Sequence, residues 1–281
     1  MKDLFDYREI KRLLSEAKIG DAGLEARLLI QKFYPELSAA EILGGGVDLG
    51  SEELRRAVLK RCERYPIQYI LGEWGFCRET YFVTPDCLIP RPETELIVER
   101  AARLLPRGAR FLDLCTGSGC IAVSTRAARE DLSAVAVDLF PKTLELARKN
   151  AEANGVGGRV DFKLCDVLLQ NASEIICGGE QFDAVLSNPP YIRSEDVSSL
   201  EPELASEPEA ALDGGADGLD FYRAIIKNFA PNLKDGGFFL FEAGADTARG
   251  VAELGESFGF CAEVMPDLAG FDRMIFLTKE Q

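Results

Sequence analysis

The chain has 281 residues, 47% hydrophobic and 28% charged, an ordinary globular composition with enough apolar content for a sizeable core. Its formal net charge of −15, from 47 acidic and 32 basic residues, argues against an extended phosphate-binding surface, which needs surplus Lys and Arg. Histidine is absent, which excludes Ser-His-Asp and Cys-His catalysis and every His-containing metal site.

The N-terminus carries no apolar signal segment, and no run reaches the length of a membrane span, so a cytosolic protein is expected. Residues 1–71 read as a helical domain. Leu4, Phe5, Ile10, Leu13 and Leu14 recur at roughly helical spacing, Leu24, Ala26, Leu28, Leu29 and Phe33 mark a second helix, and Ser51 caps a third with Leu54, Ala57, Val58 and Cys62 on one face. Gly44-Gly45-Gly46 reads as a loop. The plain reading is a helical subdomain; the functional one is a docking module. Across 72–90 the aromatic runs Trp74-Gly75-Phe76 and Tyr81-Phe82-Val83 predict a β-hairpin linker. A helix is expected to begin at Pro92 or Glu93.

From residue 110 strands and helices alternate. Strands are predicted at 110–114, 134–138, 160–164, 182–187, 237–242, 260–265 and 273–278, with helices at 119–129, 141–154, 219–230 and 246–258. This alternation implies an α/β, mostly parallel, doubly wound sheet over residues 91–281. Residues 192–220 read as a long acidic loop with Arg193 as its one basic residue, by default a solvated face. The eight cysteines include no CxxC pair; they are expected to be reduced and mostly buried, without a metal site.

The candidate chemistry lies at strand C-termini, where open α/β sheets bind ligands. Cys115-Thr116-Gly117-Ser118-Gly119 runs from the first strand of this region into a helix, and its glycines allow a tight turn and close backbone approach to a ligand. Asp138, about twenty residues on, ends the next strand, where a carboxylate accepts bonds from ribose hydroxyls. Asp166 and Val167 follow the third. Gly117-x-Gly119-x-x-Ala122 also fits a dinucleotide fingerprint, so the glycines alone leave a nicotinamide and an S-adenosylmethionine site equally open. Asp113 favours the second, as does Asn188-Pro189-Pro190-Tyr191 at the end of the fourth strand. Two prolines stop that strand and stiffen the turn. The turn sets an Asn amide, two carbonyls and a Tyr ring in fixed relation, suited to gripping a flat group that bears NH2, either a side-chain amide or a base amine. The bland alternative is a rigid strand stop.

These motifs, with Leu88-Ile89-Pro90-Arg91-Pro92-Glu93-Thr94-Glu95 and Asp267-Leu268-Ala269-Gly270-Phe271-Asp272-Arg273, resemble the protein-(glutamine-N5) methyltransferases of peptide chain release factors over nearly the whole chain. The resemblance implies a Rossmann-like class I S-adenosylmethionine-dependent methyltransferase with a small helical N-terminal domain joined by a β-hairpin. It implies a monomer that acts on release factors carrying a Gly-Gly-Gln motif, without direct nucleic-acid or membrane contact. Cofactor contacts are implied for Asp113, Cys115, Thr116, Gly117, Ser118, Gly119, Asp138, Asp166, Val167 and Asn188. For the target amide, the Asn188 oxygen and the Pro189 carbonyl are implied acceptors, with Pro190 and Tyr191 along the substrate side chain. Arg91, Glu93 and Thr94 either close over the site or merely start a helix, and Glu242 reads as structural. One departure stands out: Cys115 occupies a position that is usually Gly in that family. Alternatives are a ribosomal-protein glutamine methyltransferase, an N6-adenine nucleic-acid methyltransferase sharing the Asn-Pro-Pro-Tyr turn, and a non-catalytic module that keeps the fold.

Overall fold

In a computed structural model, which describes residues 4–279, the N-terminal sequence folds into five helices, α1 (Tyr7–Glu16), α2 (Ala22–Phe33), α3 (Ala39–Gly44), α4 (Glu52–Cys62) and α5 (Ile67–Leu71). Polar caps set their starts. Asp6 accepts from the N–H groups of Arg8 and Glu9 at 2.9 and 3.1 Å, and Ser51 accepts from Leu54 N–H at 3.3 Å. Helix α3 was not among the expected helices, although Ser38 and Glu41 cap it reciprocally, a pattern readable as Ser-x-x-Glu. Helix α5 has five residues, too few to show a helical period. Ile10, Leu14, Leu29, Ile30, Leu54 and Val58 form the buried seam.

Residues up to Glu73 form one unit together with Glu201–Ser206; the second unit comprises Trp74–Leu200 and Glu207 onward. Within the first, Arg61 is 6% exposed. Its guanidinium bonds Glu25 at 2.6 Å and Glu203 at 3.0 Å, and Arg64 holds the other Glu203 oxygen at 2.9 Å. These bonds tie the 201–206 segment to the helices.

The second unit opens with a hairpin of β1 (Glu73–Phe76) and β2 (Glu79–Phe82). A 3-10 turn at Pro92–Thr94 leads into α6 (Glu95–Leu104). There follow β3 (Arg110–Leu114), α7 (Cys120–Ala128), β4 (Ser133–Asp138), α8 (Pro141–Ala153), β5 (Val160–Leu164), α9 (Ala172–Cys177), β6 (Phe182–Ser187), α10 (Ser194–Val197), α11 (Asp220–Phe229), β7 (Leu233–Glu242), α12 (Ala248–Ser257), β8 (Phe260–Pro266) and β9 (Asp272–Lys279). The sheet order is β5-β4-β3-β6-β7-β9-β8, parallel from β5 to β7 and antiparallel at β9 and β8. The α/β reading therefore holds, with a seven-stranded, mostly parallel sheet.

Strand alternation sorts the core into two faces. Leu112, Leu114, Val135, Val137, Phe239 and Phe241 face α9, α11 and α12. Phe111, Ala134, Ala136, Ala184 and Leu186 face α6 and α7. The alanines on the second face leave room for α7 to lie close to the sheet.

The reading of 192–220 as a solvated loop needs correction. Ile192 bridges Asp213, the segment contains α10 and two 3-10 turns, and Glu203 and Glu207 point into ion pairs with the chain's own arginines. Pairing with Arg recovers much of the cost of removing a carboxylate from water. No helix among the described residues is long and apolar enough to cross a membrane.

Arg61→Ala leaves Glu25 without its guanidinium partner and Glu203 with Arg64 alone. The expected loss is on the order of 3 kcal/mol of stability, measured by urea denaturation with a probe on the helical unit; an unchanged midpoint would count against the buried triad.

Candidate active site

The strand order reverses at β3, since β4 and β5 extend to one side and β6 and β7 to the other. Such a switch point opens a crevice at the strand C-termini. Leu114 pairs in register with Ser187, and Ser187 Oγ donates to Leu114 O at 2.5 Å. The glycine loop and the Asn188 turn therefore leave the sheet side by side and line one cleft.

Cys115, Thr116, Gly117 and Ser118 line the cleft after β3, Asp138 after β4, Asp166 and Val167 after β5, and Asn188 and Pro190 after β6. Arg91 lines it too. Asp138 accepts from Gly117 N–H at 3.0 Å and Phe140 N–H at 3.1 Å, which locks its carboxylate to the glycine loop. Burial raises its pKa while those N–H groups oppose the shift. Asp166 accepts from Leu168 N–H at 2.9 Å and so shapes its own turn.

Four expected residues lie elsewhere. Asp113 does not line the cleft. In β3 its side chain points opposite Leu112 and Leu114, toward α7. There it accepts from Thr116 Oγ1 at 2.5 Å and Ala122 N–H at 3.0 Å. Fully buried, its carboxyl is pushed up to about 7 by desolvation, against the pull of those two bonds. It braces the loop from behind and anchors the start of α7. Gly119 also sits behind, where a Cβ would lie 3.2 Å from Ala147 Cβ; it admits α8. Pro189 is buried beneath the turn, and Tyr191 packs against the apolar core rather than lining the cleft.

Cys115 adopts φ +59°, a left-handed backbone in which Gly is unstrained and other residues cost roughly 1–2 kcal/mol. Burial, with Asp138 and Asp113 nearby, raises its thiol well above the ordinary range, so it holds no thiolate for nucleophilic attack.

Other contributors escaped the sequence reading or were left undecided by it. Leu139, Phe140 and Leu168 line the cleft although each is more than 40% exposed. Exposed large apolar residues directly after acid-terminated strands were the available sign. Glu207 is buried and bonds both Ile89 N–H, at 2.9 Å, and the Arg91 guanidinium. It clamps the Ile-Pro-Arg-Pro segment over the cleft. Thr94 Oγ1 donates to Glu242 Oε2 at 2.6 Å and accepts from Asn188 Nδ2 at 3.1 Å. Behind the turn, a Cβ on Gly214 would lie 2.7 Å from Pro190 O, and one on Gly218 would lie 2.4 Å from Tyr191 O. The glycines of 214–218 are thus what lets the double-proline turn be backed so closely.

The cleft fits an adenosyl sulfonium. It offers a carboxylate at the end of β4, exposed apolar surface beside it for a flat ring, and a glycine loop with φ +55° at Gly117. Asp86, Asp138 and Asp166 line it, and Arg91 is already paired with Glu207, so the balance of charge favours a cationic ligand.

Gly218→Ala is expected to cost methyl transfer while leaving cofactor affinity nearly unchanged, because the added Cβ displaces the Asn188 turn and not the ends of β3 or β4. Calorimetry with S-adenosylmethionine beside a transfer assay checks this; unchanged transfer would mean the turn is not held from behind.

Known proteins are similar to this chain along most of its length. Residues 7–72 match the PrmC N-terminal domain family, and residues 92–217 match the Methyltransferase small domain family. Release factor glutamine methyltransferase of Geobacter sulfurreducens is 41% identical over 267 residues, covering 93% of this chain and 91% of that protein. The enzyme of the same name from Cereibacter sphaeroides is 38% identical over 270 residues, covering 95% and 89%. A solved protein-(glutamine-N5) methyltransferase (release factor-specific) from Alicyclobacillus acidocaldarius is 34% identical, with a TM-score of 0.44 over 72% of this chain and 100% of that one. With the glycine loop, the Asp138 carboxylate and the Asn188 turn converging on one cleft, and with relatives this similar over nearly their full lengths, the chain belongs to the release factor glutamine methyltransferases.

Proposed function

We propose that this chain transfers the methyl group of S-adenosylmethionine to the side-chain amide nitrogen of the glutamine in the Gly-Gly-Gln motif of peptide chain release factors, with Asn188 gripping that amide. The observation that carries the assignment to Asn188 is its place at the end of β6, beside the glycine loop and in the same cleft. Asp138 serves the ribose hydroxyls, Leu139, Phe140 and Leu168 flank the adenine, Asp166 and Val167 border its edge, and residues 115–118 follow the methionine moiety.

An amide nitrogen is a weak nucleophile because its lone pair is delocalised into the carbonyl. Bound in this cleft, S-adenosylmethionine supplies a methyl group on a positively charged sulfur. Asn188 Oδ1 accepts an N–H of the target amide. That bond strengthens as positive charge develops on nitrogen, so it favours the transition state over the ground state. Holding the amide in line with the methyl lowers the remaining barrier by orientation. The proton leaves after transfer, since a methylated amide nitrogen still bearing both hydrogens is a strong acid. No histidine base is needed.

The Asn-Pro-Pro-Tyr turn would also suit an adenine amine, but the net charge of −15 disfavours a nucleic-acid substrate. In this reading the enzyme works as a monomer in the cytoplasm, where release factors act, and the helices of residues 1–71 dock the factor. Leu24, Leu43 and Leu59 are large apolar side chains on those helices, 46–61% exposed, and exposed apolar groups of this kind suit a protein partner.

Asn188→Ala and Asp138→Ala should fail in opposite ways. Asn188→Ala should reduce transfer by about 100-fold or more with cofactor affinity intact. Asp138→Ala should weaken S-adenosylmethionine binding by roughly 2–3 kcal/mol, as for hydrogen bonds to a charged acceptor. Titration calorimetry and single-turnover transfer separate the two, and substantial turnover by Asn188→Ala would sink the site assignment.

The docking role is tested by Leu24→Glu with Leu59→Glu, both on exposed positions. The pair should raise KM for an intact release factor and leave rates on a free Gly-Gly-Gln peptide unchanged. Equal rates on the intact factor would remove docking from this face of the helices.

A further inference from the structure

Asn188 is useful to an amide N–H only if its oxygen, not its NH2, faces the target. The two ends of a carboxamide have the same shape, so sterics cannot choose between them; hydrogen bonding must. The chain supplies a chooser. Thr94 and Glu242 are each 2% exposed. Thr94 Oγ1 lies 2.6 Å from Glu242 Oε2 and 3.1 Å from Asn188 Nδ2. Thr94 stands at the N-cap of α6, where threonine ordinarily bonds the helix N–H groups, yet it makes no capping bond. Its hydroxyl is directed to the relay instead. Glu242 is pinned at the end of β7, where its backbone carbonyl accepts from Tyr222 OH at 2.6 Å.

We propose that Glu242 and Thr94 are positioning residues that set the polarity of the Asn188 amide. The inference rests on the reading that Asn188 grips the target glutamine. An ionised carboxylate only accepts, so Thr94 must give it its single hydroxyl proton. The Thr94 oxygen is then an acceptor for Asn188 Nδ2, and Asn188 Oδ1 is left for the substrate. A protonated Glu242 could instead donate to Thr94, which could then donate to Asn188 Oδ1. That arrangement would turn the NH2 toward the target amide, donor against donor.

The charge state of Glu242 therefore matters to turnover. Burial pushes its carboxyl up to about 7, opposed by the Thr94 hydroxyl and by Arg273 and Arg91, and reinforced by Glu93. Tyr191, Tyr222 and Cys120 also face it and are held protonated by their own burial. Since the folded-state pKa is raised, the ionised and correctly oriented form is gained as pH rises through about 7, and kcat should rise with it. Asp113 is likewise pushed up to about 7, so the assignment of that rise needs a variant.

The test compares Thr94→Val, Thr94→Ser and Glu242→Gln with the unaltered enzyme on an intact release factor. S-adenosylmethionine affinity by calorimetry is the control for folding. Thr94→Val should lower kcat by between about 10- and 100-fold with a smaller change in KM, and Thr94→Ser should restore most of it. Glu242→Gln should abolish the rise of kcat near neutral pH. If Thr94→Val keeps kcat within about twofold of the unaltered enzyme, or Glu242→Gln keeps the rise, the relay is wrong. If Thr94→Val fails to bind cofactor, the pH profile of Glu242→Gln and the activity of Thr94→Ser decide. Loss of activity in Asn188→Ala alongside an unaffected Thr94→Val overturns the relay alone; full activity in Asn188→Ala overturns the underlying reading of the site.

Discussion

The reversal of strand order at β3 is the constraint on which the site depends. A parallel sheet gathers its C-terminal loops on one edge, and the reversal sends the connections from β3 and β6 away from each other. The gap they leave is the cleft. The Leu114–Ser187 register, reinforced by the Ser187 hydroxyl on Leu114 O, brings the glycine loop and the Asn188 turn out at the same level. A slip of one residue would turn Ser187 and the side chains around it to the opposite face.

Around this frame, buried carboxylates do the holding. Asp113 ties the glycine loop to the start of α7, Glu207 holds Ile89 and Arg91, and Glu242 holds Thr94. Each is less than a tenth exposed, and desolvation raises the pKa of all three. Burying a charge is costly unless hydrogen bonds satisfy it. The chain accepts this cost beside the site, where a strong, directional acceptor fixes a loop better than apolar packing does. Apolar contact is tolerant of sliding, whereas a carboxylate with two N–H or O–H partners is not.

Backbone conformation supplies the remaining precision. The double proline stiffens the Asn188 turn, and the glycines at 214 and 218 allow the chain to pass behind it at distances no Cβ would permit. Cys115 shows the converse. It holds a left-handed φ with a side chain attached, and the loop tolerates this because the thiol is small and packs against the core face of α9, α11 and α12. This chain therefore carries local strain in the loop that leaves β3.

Much of this was legible in the sequence. Alternating apolar strands and helices implied the sheet, and the Gly-Ser-Gly loop, Asp138 and the Asn-Pro-Pro-Tyr turn marked the strand ends, because composition and period act locally along the chain. Local pattern named Thr94 only as part of a closing segment or a helix start, read Glu242 as structural and did not reach Glu207; it could not show that Thr94 bonds both Asn188 and Glu242, which only folding brings to it. Nor could it show that Asp113 and Tyr191 turn away from the cleft, since strand alternation decides the face of a residue only once the sheet is known to be covered on both sides. The sequence by itself determined the fold class and, through the family its motifs resemble, the cofactor, and it marked the Asn188 turn as a candidate grip for a flat group bearing NH2. Only the tertiary structure decided which carboxylates line the cleft and which sit behind it, because burial and hydrogen-bond partners are properties of the packed chain and not of any segment.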